Sequence, residues 1–254
     1  MKACRIPPTC IALLVSATAF PGTARATIVL DLIGNVNAYT VGASDPMPSQ
    51  IFTDFPAFSC AVLEDFSVSA AELIVSSVSV VFLAQGGFEQ FQNIERFALN
   101  IYTAPARAGE SLTGDVASQW FAASAITRVV DPSGEGEFGR VDLSVNLTLP
   151  AAGTYWVGVS PQSAMAVTGQ FLVANANLAP DTPPDPTGPG LANAMLANPG
   201  QGFGIGALSS LDADYAYSVT VVPEPSTLAL CLLGSAGLLR RRRPPAPPNI
   251  NHKS

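Results

Sequence analysis

Nine residues past the middle of the chain constrain its fold more than any other stretch. Val141, Leu143, Val145, Leu147 and Leu149 alternate with Asp142, Ser144, Asn146 and Thr148. Successive side chains of a strand point to opposite faces, so this period of two predicts a strand with one face in a core and the other in water. A helix would scatter the same apolar residues around its circumference. Pro150-Ala151-Ala152-Gly153 then reads as a turn, and Thr154 to Val159 as the returning strand of a hairpin.

The same alternation recurs. Tyr215, Tyr217, Val219 and Val221 carry it near the C-terminus, and Phe97, Leu99 and Ile101 carry it earlier. Val78, Val80 and Phe82 share one face of the β-branched stretch Ile74 to Leu83. Thr27 to Ile33, Ala125 to Val130 and Gln170 to Val173 are shorter candidates. Short strands separated by Gly, Pro and Asp loops predict a mainly β fold. The expected architecture is an antiparallel β-sandwich, jelly-roll-like, over residues 27–221. No period of 20 to 50 residues is present, which argues against a solenoid or propeller. Residues 181–206 break the pattern. Pro183, Pro184, Pro186 and Pro189 exclude a helix or central strand, and the Asn/Gly/Ala-rich continuation predicts one long exposed loop.

The C-terminal end has a different physics. Pro223 and Pro225 fix φ and remove two backbone donors, and they push Val222 and Glu224 out of the helical region. Val222-Pro223-Glu224-Pro225 is therefore extended and cannot pair fully. Ser226 to Leu239 is uncharged and apolar all round, and Arg240-Arg241-Arg242-Arg243 stops it. As a helix, residues 226–239 would be about 21 Å long at 1.5 Å per residue. That is shorter than the ~30 Å hydrocarbon core, but flanking arginines lengthen a span by snorkelling. The arginines set its direction, with the cluster in the cytoplasm. Gly234 and Gly237 weaken the helix, which suits a transient anchor.

Pro-Glu-Pro, a short hydrophobic helix and an arginine cluster, in that order, resemble the PEP-CTERM sorting signal of Gram-negative bacteria. The same tail is also described as an ice-binding protein C-terminal domain, although no regular threonine array of an ice-binding face is visible. The resemblance covers residues 222–243 and implies an exported protein whose tail inserts in the membrane. It implies recognition by exosortase, a membrane protease-transpeptidase that cuts near Pro-Glu-Pro. Residues 244–254 extend beyond the usual end of such tails and are expected to form a disordered cytoplasmic stub.

The other end agrees. Lys2 and Arg5 form a positive region, Ile11 to Phe20 an apolar one, and Ala24-Arg25-Ala26 a small-residue cleavage site. Residues 1–26 therefore read as a signal peptide, with signal peptidase leaving Thr27 as the first residue.

Charge and missing residue types narrow the chemistry. Between the two terminal segments, four arginines face 19 acidic residues counted through Glu224, a net charge of −15. Such a surface repels nucleic acid and anionic lipid and favours cations. The one histidine, His252, lies beyond the arginine cluster, and both lysines lie outside the exported part. Histidine-based hydrolases, histidine metal sites and lysine chemistry are thus excluded from it. A pair of carboxylates could still hydrolyse a glycoside, but no pair stands out. No catalytic residue and no cofactor are expected, apart from calcium. For calcium the candidates are Asp131, Glu135 and Glu137, three acids in a Gly-rich turn. That turn lacks EF-hand spacing and also reads as a solvated hairpin loop. Cys60 is the single cysteine of the exported part, so it has no intramolecular disulfide and reads as a small buried hydrophobe.

Two short motifs are set aside. Leu149 to Gly153 is similar to a Gram-positive sortase signal, but Ala152 replaces its threonine. Asn146-Leu147-Thr148 fits a glycosylation sequon in the middle of a strand. Glu64 to Val68 and Leu149 to Trp156 loosely resemble patterns of bacterial exported β-sandwich domains, which name no activity. Three functions remain: a structural or adhesive surface or matrix protein, a carbohydrate- or calcium-binding module with exopolysaccharide as a partner, and a carboxylate glycosidase.

Overall fold

In the computed structural model the described residues are 25–34, 46–123, 127–129, 138–176 and 193–223. All belong to the unit Ala24–Glu224. In chain order the strands are β1 (Thr27–Asp31), β2 (Met47–Pro48), β3 (Ile51–Phe52), β4 (Ala61–Val68) and β5 (Ile74–Ala84). Then come β6 (Arg96–Tyr102), β7 (Ala117–Ala122), β8 (Thr127–Val129), β9 (Phe138–Thr148) and β10 (Gly153–Ser163). Last are β11 (Phe171–Val173), β12 (Met195–Ala197), β13 (Leu208–Ser210) and β14 (Tyr217–Val222). Two short helices, α1 (Pro105–Glu110) and α2 (Met165–Thr168), complete the elements used below.

The strands form two sheets. In the first, β5 is central. β9 pairs along one edge of β5 from Ile74 to Leu83. β14 and β11 take successive stretches of its other edge. β1 lies outside β14, β2 outside β11, and β8 outside β9. The second sheet runs β13-β12-β4-β10-β6-β7. β3 joins it through the one parallel pairing among the described residues, on β10; the other pairings are antiparallel.

Inward side chains of both sheets share one core. Val78, Val80, Phe82, Tyr217 and Val219 come from the first sheet; Val62, Phe66, Phe97, Leu99 and Val157 from the second. The rings of Phe82 and Phe97 stack across the interface with centroids 6.3 Å apart. The Tyr217 hydroxyl donates to Val62 O at 3.0 Å and accepts from Val159 N–H at 3.1 Å, tying β14 to two strands of the opposite sheet. This satisfies a polar atom that would be costly to bury alone.

The alternating stretches become strands where the sequence puts them: β6, β5 and β14 bury their predicted residues, and β9 buries Val141 and Leu143 while Val145 and Leu147 are half-buried against the core. The predicted hairpin does not form. β9 pairs with β5 and β8, whereas β10 pairs with β4, β6 and β3, so the chain crosses from one sheet to the other between them. Period-two patterning says which face is buried; it does not name the neighbouring strand. Residues 149–152 are long enough to bridge sheets about 10 Å apart. The crossing is fastened by Tyr155, whose hydroxyl donates to Ala151 O at 2.8 Å and accepts from Ala151 N–H at 3.3 Å. Gly153 has φ 151°, and a Cβ there would meet nothing within 4 Å, so its backbone angle rather than space calls for glycine.

The long loop is also corrected in part. Within its span β12 forms, pairing with β4, and Ala194, Leu196, Ala197 and Asn198 are buried. Three residues are too few to show a period, and the pairing is imposed by the exposed edge of β4. Residues 177–192 lie outside the described residues, as does the apolar run 226–239. No helix among the described residues is long and apolar enough to cross a membrane.

Candidate functional site: the sorting junction

The processing positions predicted from the two ends of the chain meet on one strand pair. β14 alternates burial along its length, with Tyr217, Val219 and Val221 fully enclosed. Val221 is the cross-strand partner of Thr27 on β1 and of Val75 on β5. Val222 pairs with Ile74, and the strand ends there. Pro223 follows directly; without an N–H it cannot extend the ladder. Ala26 and Thr27 are exposed, one strand away. The predicted start of the mature chain and the start of the predicted sorting segment are thus neighbours at one end of the first sheet.

The opposite end of β14, where the strand begins, is held by an unusual group. Glu64, in the middle of β4, points into the core and is 1% exposed. It accepts the backbone N–H of Tyr215, two residues before β14. Burial, with Asp214 and Asp65 nearby, pushes its carboxyl well above the ordinary value of 4.5. Asp65, the next residue, faces the other side of β4 and accepts from Asn193 Nδ2 at 2.7 Å. The Asn193 backbone N–H donates to Asp214 at 3.4 Å. Glu64 and Asp65 therefore do not form a carboxylate pair across one cleft. The sequence marks Glu64 to Val68 only by a loose resemblance and does not predict β4, because two adjacent acids look unlike a central strand. The signal that could have found them is the frame Ala61, Val62, Leu63, Phe66 and Val68 around them.

Cys60 meets the expectation for it: it is free, fully buried and donates to Pro48 O at 3.2 Å, and burial pushes its thiol up to about 12. The candidate calcium residues Asp131, Glu135 and Glu137 lie outside the described residues. The strands flanking them, β8 and β9, do pair, with Val129 opposite Phe138. Among the described residues no group of three or more His, Cys, Asp or Glu could hold a metal ion. Ala24, Glu224, Pro225 and Arg240 to Arg243 also lie outside the described residues.

Comparison with known families decides what this junction is. Residues 221–243 match the PEP-CTERM protein-sorting motif. No curated protein and no solved structure matches the chain. The PEP-CTERM motif marks an exported protein, anchored through its C-terminal tail before exosortase processes it. Its first two residues, Val221 and Val222, belong to β14, so motif and folded domain overlap without a linker.

Proposed function

We propose that this chain is an exported surface or extracellular-matrix protein with a structural or adhesive, non-catalytic role. Its folded part is a β-sandwich, delivered through the PEP-CTERM tail and released or re-anchored by exosortase. The observation that carries the reading is the sorting motif at 221–243, continuous with the last core strand. The sandwich assignment is supported by the shared core of two sheets and by the Tyr155 clasp at a sheet-to-sheet crossing. That clasp has the form of the tyrosine corner of Greek-key sandwiches, where a tyrosine hydroxyl bonds backbone a few residues upstream.

In this reading signal peptidase cuts after Ala26 and the tail inserts with Pro223-Glu224-Pro225 outside and Arg240 to Arg243 in the cytoplasm. The pairing of Thr27 with Val221 supports it, because both cleavage positions then leave the domain side by side. Replacing Glu224→Ala is expected to leave export and an N-terminus at Thr27 intact and to block release. Fractionation of a tagged chain in an exosortase-bearing host, with N-terminal analysis, tests this. Equal release of wild type and variant would reduce the tail to a plain anchor.

A further inference from the structure

Among the described residues one large aromatic side chain stands on an open sheet face with a cation behind it. Trp120 on β7 is 43% exposed, and the Arg96 guanidinium lies 3.8 Å from the centroid of its ring. The pair is set by register: Trp120 is opposite Ala98, and Arg96 is two residues along β6, so the two side chains meet diagonally on one face. Arg96 Nε donates to Gln162 Oε1 at 2.7 Å, and Gln162 Nε2 donates to Glu95 Oε2 at 3.2 Å. Three planar polar groups are thereby lined up beside a fixed indole ring.

Arg96 differs from its counterparts. Arg107 is paired with Glu110 and Arg140 with Asp142, whereas Arg96 has no carboxylate partner among the described residues. Its hydrogen bond to Gln162 uses one of five guanidinium N–H groups. The guanidinium covers one face of the indole, and the 43% of the residue that stays exposed is what a ligand can reach.

We infer that Trp120, Arg96, Gln162 and Glu95 form a binding platform for a neutral polysaccharide. The face of an aromatic ring carries negative potential, and the C–H face of a pyranose offers the matching positive one. The cation–π contact and the hydrogen-bonded ladder hold the ring in place before binding, which lowers the ordering cost. The exposed guanidinium and carboxylate and the half-buried amide supply donors and acceptors together, as sugar hydroxyls require. The neighbouring Ser118, Gln119 and Ala122 are exposed and small or polar, which leaves room for a sugar ring beside the indole. The net charge of −15 counts against polyanionic chains.

Position fits the role. Arg96 pairs with Gln162 near the end of β10, while the crossing at Gly153 lies at its start, on the side where β14 leaves the domain. Nine residue steps separate Gly153 from Gln162, about 30 Å at roughly 3.3 Å each. The platform is thus at the far end of the domain from the sorting junction. This inference names a ligand for the adhesive role proposed above and rests on that reading only for its setting.

The chain has two tryptophans, Trp120 and Trp156, so the variant Trp156→Phe makes Trp120 the sole indole reporter. The full-length chain in mild detergent is titrated with dextran, hydroxyethyl cellulose, galactomannan and, as the anionic arm, alginate. A saturable change in emission with at least one neutral glycan and none with alginate is expected. In the otherwise native chain, Trp120→Ala should weaken that glycan's retardation in affinity electrophoresis at least tenfold, and Trp120→Phe should retain part of it, with melting unchanged in both. No saturable response to any neutral glycan, or retardation indifferent to Trp120→Ala, overturns the proposal. The measurement needs neither export nor cleavage, so it can fail while the Glu224→Ala experiment succeeds, and the reverse.

Discussion

Glu64 shows how one buried carboxyl couples the packing of the start of β14 to solution pH. The core holds it facing Tyr217 on β14, with Asp214 next to the Tyr215 amide it accepts from and Asp65 behind it on β4. Both the burial and the acidic neighbours favour its protonated form. Its folded pKa lies above its unfolded one, so the native state binds the extra proton. Stability from this group is full below about 4.5, the ordinary value, and is lost as pH rises through the raised folded value. Across that window each pH unit is worth about 1.4 kcal/mol. Glu64→Gln keeps an acceptor for the Tyr215 amide and removes the titration. The melting temperature of the wild type is expected to fall with rising pH relative to that of Glu64→Gln, the gap widening up to the raised pKa. Melting curves from pH 4 to 9 check this, and parallel profiles would refute it.

At the scale of elements, the crossing from β9 to β10 separates what the sequence states from what only packing decides. Alternation in Val141 to Leu149 gives strand and face, and the structure keeps both. The partner strand depends on contacts far along the chain, such as Val80 with Val141 in one sheet and Phe66 with Tyr155 in the other. Nothing local distinguishes a tight hairpin from an arch between sheets. β4 was hidden for another reason: Glu64 and Asp65 are tolerated in a central strand because Tyr215 and Asn193 supply donors from more than a hundred residues away. β12 was hidden by brevity. The sorting junction was legible because its parts are local: two prolines, an uncharged run and four arginines. That its first residues are core strand was legible only from the alternation ending at Val221. If the Tyr155 clasp fixes the crossing, Tyr155→Phe should destabilise the domain by about 1 kcal/mol, the net worth of a typical hydrogen bond. Denaturant unfolding with an unchanged slope reads this directly, and a midpoint equal to wild type would remove the clasp from the account.

For the molecule as a whole, the overlap of sorting motif and core strand sets a limit on processing. A protease binds several residues of extended backbone on each side of its cut. Upstream of Pro223 those residues are Val222, paired with Ile74, and Val221, fully buried and paired with Thr27 and Val75. An enzyme cutting near Pro-Glu-Pro must therefore reach right up to the folded domain or wait for the last residues of β14 to fray. Strand ends open at low cost compared with global unfolding, so fraying supplies a usable but minor population. Inserting Gly-Ser-Gly-Ser between Val222 and Pro223 leaves every β14 pairing intact and makes the upstream segment permanently available. Release of the tagged domain is expected to become several-fold faster in a pulse-chase. The same insertion combined with Glu224→Ala should still block release, because the motif itself is spoiled. A rate unchanged by the insertion would mean that exosortase needs nothing upstream of Pro223, and a slower rate would mean that it recognises the folded end of β14.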